Sequence, residues 1–208
     1  MFGLNMGENH LEVACGTGTL LEYILNWRRR KQLPHIQITC VDYAEKMLQG
    51  AKHRFANQSD MKFLKADAAN MSDFSDELFD TLNIANSIHC LPQVVESFQE
   101  MFRVLKSGGI LCGNVLLHAR GWFPFKQIAN SINRWGERRG ILVTPYSEDG
   151  IVEIVKQVGF VVLVREVHGN CLELTLQKPK NDANVVAQKQ QVSSVSSVSI
   201  EVEIGQIN

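Results

Sequence analysis

The chain lacks the features that mark several common protein classes. It has no run of about 18 consecutive apolar residues, the length that a membrane-spanning helix needs. Lysine and arginine (21) do not outnumber aspartate and glutamate (22), which argues against binding to nucleic acid mainly through phosphate contacts. The five cysteines are odd in number and include no Cys-x-x-Cys pair, which argues against a disulfide framework and a zinc ribbon. No cluster of carboxylates or cysteines has metal-ligand spacing, so we expect no metal site.

The composition is that of an ordinary globular protein, and we expect it to be cytoplasmic. Residues 1–10, MFGLNMGENH, have neither the basic nor the apolar region of a secretory signal peptide. Apolar residues make up 45% and charged residues 21% of the 208 positions, as in a folded domain. We expect one domain over residues 1–180. Residues 181–208 are predicted to be a disordered polar tail, although the alternating run QVSSVSSVSIEVEIG within them is also compatible with a strand.

Apolar runs typical of strands alternate with helical patterns along most of the chain. Strands are predicted at residues 10–14, 36–41, 61–65, 79–84 and 110–117. One helix is predicted over Val94–Leu105, with Gly108-Gly109 at its C-cap, and another begins after Ser147 as N-cap. Two last strands are joined by the hairpin turn His168-Gly169-Asn170. This order predicts the α/β class: a Rossmann-like, seven-stranded, doubly wound sheet with the last strand antiparallel.

Turns that follow the predicted strands carry the residues from which a binding site is predicted. The glycines of Glu12–Gly18 let a strand turn tightly into a helix, whose first N–H groups can bind a carboxylate or phosphate. Asp42 ends the second strand, where an acidic residue accepts hydrogen bonds from ribose hydroxyls; a helix cap is the alternative. Asp67, after the third strand, is either an acceptor for an adenine amino group or an ordinary loop aspartate. Leu21 occupies the position where a dinucleotide site wants a small residue, which disfavours NAD.

A resemblance to a known family is carried by five segments in chain order: LEVACGTGTL, ITCVDYAEKML, FLKADAANM, FDTLNIANSIHCLP and FRVLKSGGILCGNV. They resemble the successive motifs of class I methyltransferases that depend on S-adenosylmethionine (SAM). The similarity is greatest to the small-molecule branch that includes the ubiquinone and menaquinone C-methyltransferases, and it spans about Leu11 to Lys178. The resemblance implies SAM as cofactor and a small acceptor for the methyl group.

The resemblance also implies cofactor-binding roles for particular residues. The implied set is Glu12, Ala14, Gly16, Gly18, Asp42, Tyr43, Met47, Asp67, Ala68, Asn83 and Ala85. Glu12, Ala14 and the two glycines would surround the methionine end of SAM, with Ala14 where many members have glycine. Asp42 would bind the ribose hydroxyls, and Asp67 would meet the adenine amino group.

The catalytic and acceptor-binding residues are predicted less directly. His89 follows the fourth strand and is the candidate general base, because the imidazole pKa suits proton transfer near neutral pH; a pocket-wall or capping role is the alternative. The segment 121–125, GWFPF, lies where this fold commonly covers the acceptor pocket. Trp122 and Phe125 are therefore predicted to contact an apolar or aromatic acceptor, with packing on the sheet as the alternative.

The chain departs from the family at its start. Ten residues precede Leu11, whereas relatives usually carry a few dozen there, including a helix that covers bound SAM. Either that helix is absent, or another segment replaces it, or the chain completes its site by pairing with another copy in a homodimer. A catalytically silent SAM-binding or interaction protein and an NAD-dependent oxidoreductase are the alternative functions. No nucleic-acid partner is expected, because residues 83–86, NIAN, lack the Pro-Pro-aromatic pattern of enzymes that methylate base amino groups.

Overall fold

One mixed β-sheet organises the protein. The structure, a computed structural model, describes residues 2–118 and 146–180 and the isolated positions 127, 131, 134 and 138. The strands are β1 (Asn9–Val13), β2 (Gln37–Asp42), β3 (Met61–Lys65), β4 (Phe79–Ile84), β5 (Leu105–Leu116), β6 (Val161–His168) and β7 (Cys171–Gln177). The helices described are α1 (Thr19–Arg30), α2 (Glu45–Arg54), α3 (Val94–Val104) and α4 (Glu148–Val158), with a 3-10 turn at Ile88–Cys90.

The strand order confirms the predicted fold. It runs β3-β2-β1-β4-β5-β7-β6 in a seven-stranded sheet. Strands β1 to β5 pair in parallel, and β7 is antiparallel to both β5 and β6. The chain moves outward from β1 to β3 and then returns to β4 on the other side of β1. This reversal is the switch point of a doubly wound sheet, at which ligands bind beyond the carboxyl ends of the strands.

The two faces of the sheet have different chemistry. The face under α3 and α4 is apolar, and its strand residues include Leu82, Leu111, Leu172, Leu174 and Leu176, all with 0% exposure. The opposite face packs against α1 through Leu21 and Ile24. There strands β1, β4 and β7 bury polar side chains: His10, Glu12, Thr81, Asn83 and Thr175. Burial of each leucine is worth about 1.5–3 kcal/mol, so the apolar face supplies most of the hydrophobic stabilisation.

The predicted helix end at Gly108-Gly109 is wrong. Helix α3 ends at Val104, and Leu105 is already extended (φ −80°, ψ 134°). A Cβ atom on Gly109 would lie 2.9 Å from the carbonyl oxygen of Asp80 and 2.8 Å from that of Lys106. The glycine is therefore needed where β5 passes close to neighbouring backbone, at the register shift between β4 and β5, and not as a helix cap.

The elements near the carboxyl end of the described chain agree with the predictions. Ser147 caps α4, because its Oγ accepts a hydrogen bond from the N–H of Gly150 at 3.0 Å. Gly169, with φ 62°, lies in the turn between β6 and β7. Trp122, Phe125 and the predicted tail at residues 181–208 lie outside the described residues. In the described part of the chain, no helix is both long and apolar enough to cross a membrane.

Candidate functional site

A cavity of about 640 Å³ opens beyond the carboxyl ends of β1, β2 and β3. Its volume lies within the roughly 300–1,000 Å³ that is usual for small-molecule sites. Seven predicted cofactor residues line it: Ala14, Gly16, Asp42, Tyr43, Met47, Asp67 and Ala68. The segment after β4 forms another wall, with Ser87, Cys90, Leu91, Pro92 and Gln93. The sequence analysis missed that wall, because only the pairing of β4 beside β1 brings it to the cavity.

The glycine turn after β1 is built from residues in left-handed conformation. Ala14, Gly16 and Gly18 have φ of 52°, 57° and 74°. A Cβ atom on Gly16 would have no heavy atom within 4 Å, so the backbone there faces open space. A Cβ atom on Gly18 would lie 2.5 Å from the Phe55 ring. Gly16 thus suits close approach of a ligand, whereas Gly18 lets the start of α1 pack on the core and is not among the cavity residues.

The carboxylate of Asp42 joins the first two turns. Its Oδ2 accepts a hydrogen bond from the Gly16 N–H at 2.7 Å, and its Oδ1 accepts one from the Ala44 N–H at 2.8 Å. Each carboxylate oxygen has a second acceptor site, so both can still receive a ligand hydroxyl. The N-cap of α2 is Ala44, so Asp42 is not in the capping position that was the alternative.

Large side chains remain exposed at the far rim of the cavity. Tyr43 is 71% and Met47 49% exposed, and both line the cavity, so their side chains are accessible to a ligand. Asp67 is exposed, and its Oδ1 accepts a hydrogen bond from the Ala69 N–H at 2.9 Å. Ala68 beside it is buried.

Two predicted cofactor residues, Glu12 and Asn83, lie outside the cavity lining and contact each other. The Asn83 Nδ2 donates to Glu12 Oε2 at 3.2 Å. The Nε2 of His10 lies 3.2 Å from the same oxygen, and its Nδ1 lies 2.8 Å from the Thr81 hydroxyl. The sequence analysis overlooked His10, although the two-residue period of a strand places His10 and Glu12 on one side of β1.

His89 and Ala85 are also outside the cavity lining. His89 lies in the 3-10 turn after β4, and its Nδ1 accepts a hydrogen bond from the Leu116 N–H at 3.4 Å. Burial lowers the pKa of His89 from its ordinary value of 6.5, so the ring is neutral at pH 7. With Nδ1 accepting, the single ring proton lies on Nε2. Ala85 accepts a hydrogen bond from the Ser87 hydroxyl through its carbonyl oxygen.

A separate group of potential metal ligands lies on the β6–β7 hairpin. Glu166, His168 and Glu173 each place a ligand atom within 4.8 Å of the others. Glu166 and His168 are exposed, and none of the three lines the cavity.

A comparison with known families decides the class of the domain. Residues 11–113 match the family described as "Methyltransferase domain". Residues 11–113 therefore carry a methyltransferase domain. A curated relative, the demethylmenaquinone methyltransferase of Staphylococcus aureus (strain JH9), is 30% identical over 112 residues, which are 52% of this chain and 43% of the relative. The chain thus spans less than half the length of the curated relatives it matches.

Solved structures support the fold of this methyltransferase domain. A SAM-dependent methyltransferase from Aquifex aeolicus is 20% identical, with a TM-score of 0.63 and 85% of each chain covered. The cyclase SpnF is also 20% identical, with a TM-score of 0.66 and 86% of this chain and 78% of that chain covered. Since one of these proteins is named a cyclase, the shared fold does not by itself fix the reaction.

The cavity of the methyltransferase domain fits SAM, the cofactor of this class. SAM carries a sulfonium, an ammonium and a carboxylate, and so about one net positive charge. Among the described residues, those that line the cavity include the carboxylates of Asp42 and Asp67 and no lysine, arginine or histidine. Burial raises the pKa of the Cys90 thiol, so this group stays protonated at neutral pH and is a poor nucleophile. The cavity therefore suits binding and orientation of a cationic nucleoside.

Proposed function

We propose that this protein transfers a methyl group from SAM to a small, apolar or aromatic acceptor. The observation that carries the proposal is the hydrogen bond between Asp42 and Gly16, which joins two cofactor motifs at the wall of one cavity. The Asp42 carboxylate is preorganised to accept hydrogen bonds from ribose hydroxyls, because backbone N–H groups already orient both of its oxygens.

In the proposed mechanism the protein mainly binds, aligns and excludes water. When bound, SAM supplies an activated methyl group on a positively charged sulfur. Asp42 holds the ribose, and Asp67 and Ala68 hold the adenine. Tyr43 and Met47 lie at the rim, where they would cover the nucleoside and keep water out. Alignment of donor and acceptor accounts for most of the rate gain in such a site.

The acceptor is proposed to bind beyond β4 and β5. His89 lies in the 3-10 turn after β4, and its Nδ1 contacts the Leu116 N–H at the end of β5. Trp122 and Phe125, which follow β5 in the sequence, are proposed as acceptor contacts. A small acceptor is supported by the name of the Staphylococcus aureus relative, a demethylmenaquinone methyltransferase. The homodimer and the absence of nucleic-acid partners remain part of the proposal.

A cytoplasmic location is also proposed. All five cysteines lie in the described residues, and none of them forms a disulfide. This arrangement is typical of a reducing compartment.

Calorimetric titration with SAM, S-adenosylhomocysteine and NAD tests the cofactor, and transfer of a labelled methyl group to quinone-like acceptors tests the reaction. We expect Asp42→Ala to weaken SAM binding by about 1–3 kcal/mol, because hydrogen bonds to a charged acceptor are lost. Asp60→Ala is the matched control, since this carboxylate pairs with His35 at the opposite end of the sheet. Equal effects of the two variants would overturn the assignment of Asp42. Tight SAM binding without methyl transfer to any acceptor would favour a catalytically silent binding protein.

A further inference from the structure

We infer that His10 is a positioning residue for the amino-acid end of the cofactor and that it acts through the carboxylate of Glu12. The inference rests on the proposed function. His10 has 0% and Glu12 3% exposure, and both lie on the polar face of β1. Glu12 lies two residues before Ala14, which lines the cavity.

The hydrogen bonds around His10 have a defined direction. Thr81 Oγ1 accepts a hydrogen bond from the Gly7 N–H at 2.8 Å, so its own proton is available to His10 Nδ1, 2.8 Å away. With Nδ1 accepting, the ring proton lies on Nε2, which faces Glu12 Oε2 at 3.2 Å. A chain of donors therefore runs from the segment before β1, across β4, to the Glu12 carboxylate.

This series of hydrogen bonds holds one carboxylate oxygen of Glu12 and does not engage the other. Oε2 receives N–H groups from both His10 and Asn83. No described residue donates a hydrogen bond to Oε1. The Glu12 side chain keeps 4% exposure, against 0% for that of His10, and we infer that Oε1 is the oxygen a ligand can reach. It is the acceptor that remains for a cationic group, such as the ammonium of SAM.

The two donors have an energetic role. A buried carboxylate is costly unless hydrogen bonds replace its water. An apolar residue in place of His10 would leave Asn83 as the one described donor to Glu12. The carboxylate would then be held by one donor in place of two, and its position beside the glycine turn would be less fixed.

A purely architectural role for His10 is the competing explanation, because the ring also ties β1 to β4. Ligands of different length separate the two explanations. S-adenosylhomocysteine contains the amino-acid end, whereas 5′-methylthioadenosine contains the same nucleoside without it. A positioning role predicts loss of affinity for the first ligand alone, and damage to the sheet predicts loss for both.

The experiment is calorimetric titration of both ligands into the full chain, with urea unfolding of each variant alongside. His10→Leu is expected to weaken S-adenosylhomocysteine binding by about tenfold or more and to change 5′-methylthioadenosine binding less than about twofold. His10→Gln should recover part of the loss, because an amide N–H can still donate to Glu12. Asp42→Ala, which acts on the shared ribose, should weaken both ligands.

Two outcomes would overturn the inference: equal weakening of both ligands by His10→Leu, or no weakening of either. If His10→Leu does not fold, His10→Val gives the same test, because a β-branched residue suits a strand and also removes the donor to Glu12. A selective loss of S-adenosylhomocysteine then supports the inference, and a uniform loss contradicts it. Wild-type protein that binds neither ligand would contradict the proposed function itself, a result distinct from failure of the His10 inference.

Discussion

Arg103 and Glu100 hold one another on α3 through two hydrogen bonds, from Nε to Oε1 at 2.7 Å and from Nη2 to Oε2 at 2.9 Å. The same guanidinium donates to the carbonyl oxygens of Met71 at 2.9 Å and Phe74 at 2.8 Å. Glu100 in turn accepts from the Met71 N–H at 2.6 Å. These hydrogen bonds hold the loop after β3, which contains Asp67, against α3.

Removal of this arginine should destabilise the protein. We expect Arg103→Ala to lower the free energy of unfolding by about 2–3 kcal/mol, because two loop carbonyls and the Glu100 carboxylate lose a charged donor. Arg165→Ala is the control, since Arg165 pairs with Glu148 and Asp149 at the surface, and this variant should stay close to wild type. Urea unfolding measures both. Similar losses in the two variants would show that the loop is not held by Arg103.

The pair of Arg103 and Glu100 makes the free energy of unfolding depend on pH in the acidic range. The hydrogen bond from Arg103 and the one from Met71 hold the pKa of Glu100 below its ordinary value of 4.5, although burial opposes them. A lowered carboxyl pKa gives stability that is present above the unfolded value and lost as pH falls through the folded value. Wild-type stability should therefore fall as pH drops below about 4.5, and Glu100→Gln should flatten this fall. Urea unfolding of both proteins between pH 7 and pH 3 measures this difference. Identical pH profiles for wild type and Glu100→Gln would contradict the prediction.

Two glycines of one turn should respond differently to alanine. Both have positive φ, so each substitution costs about 1–2 kcal/mol of backbone strain. Gly18→Ala adds a clash with Phe55 and should cost roughly 1–3 kcal/mol more, whereas the Cβ of Gly16→Ala enters open space. Gly16→Ala should therefore fold well and lose SAM affinity. Thermal unfolding measures the stability of the two variants, and calorimetry measures their SAM affinity. A greater destabilisation by Gly16→Ala than by Gly18→Ala would contradict the prediction.

We expect His89 to donate a hydrogen bond to the molecule that receives the methyl group. Nδ1 is occupied by the Leu116 N–H, so the neutral ring offers Nε2–H. We expect His89→Gln, which keeps an N–H near that position, to retain much of the methyl-transfer rate, and His89→Phe to lose about tenfold or more. Equal loss in both variants would instead favour the general-base role predicted from the sequence.

Local sequence patterns were sufficient for some elements and not for others. Strands β3 and β4 have the predicted ends, because apolar runs there are bounded by polar turns. The ends of α3 and β5 were misjudged, since a glycine required for close backbone approach to Asp80 has the same local pattern as a helix cap. Gly16 and Asp42 could be placed beside the cavity because each lies in a local turn that follows a strand. His10 and the wall from Leu91 to Gln93 depend on which strands become neighbours, and no local pattern states that.

The contrast between the two faces of the sheet bears on how the strands find their alignment. Side chains alternate along β1, so a slip of one residue would drive His10 and Glu12 into the leucine-rich layer and turn Leu11 and Val13 towards Thr81 and Asn83. Such a misaligned sheet would bury a carboxylate among hydrocarbon, without its hydrogen-bond donors. The polar face thus disfavours misaligned pairings and helps to specify the register of the central strands during folding.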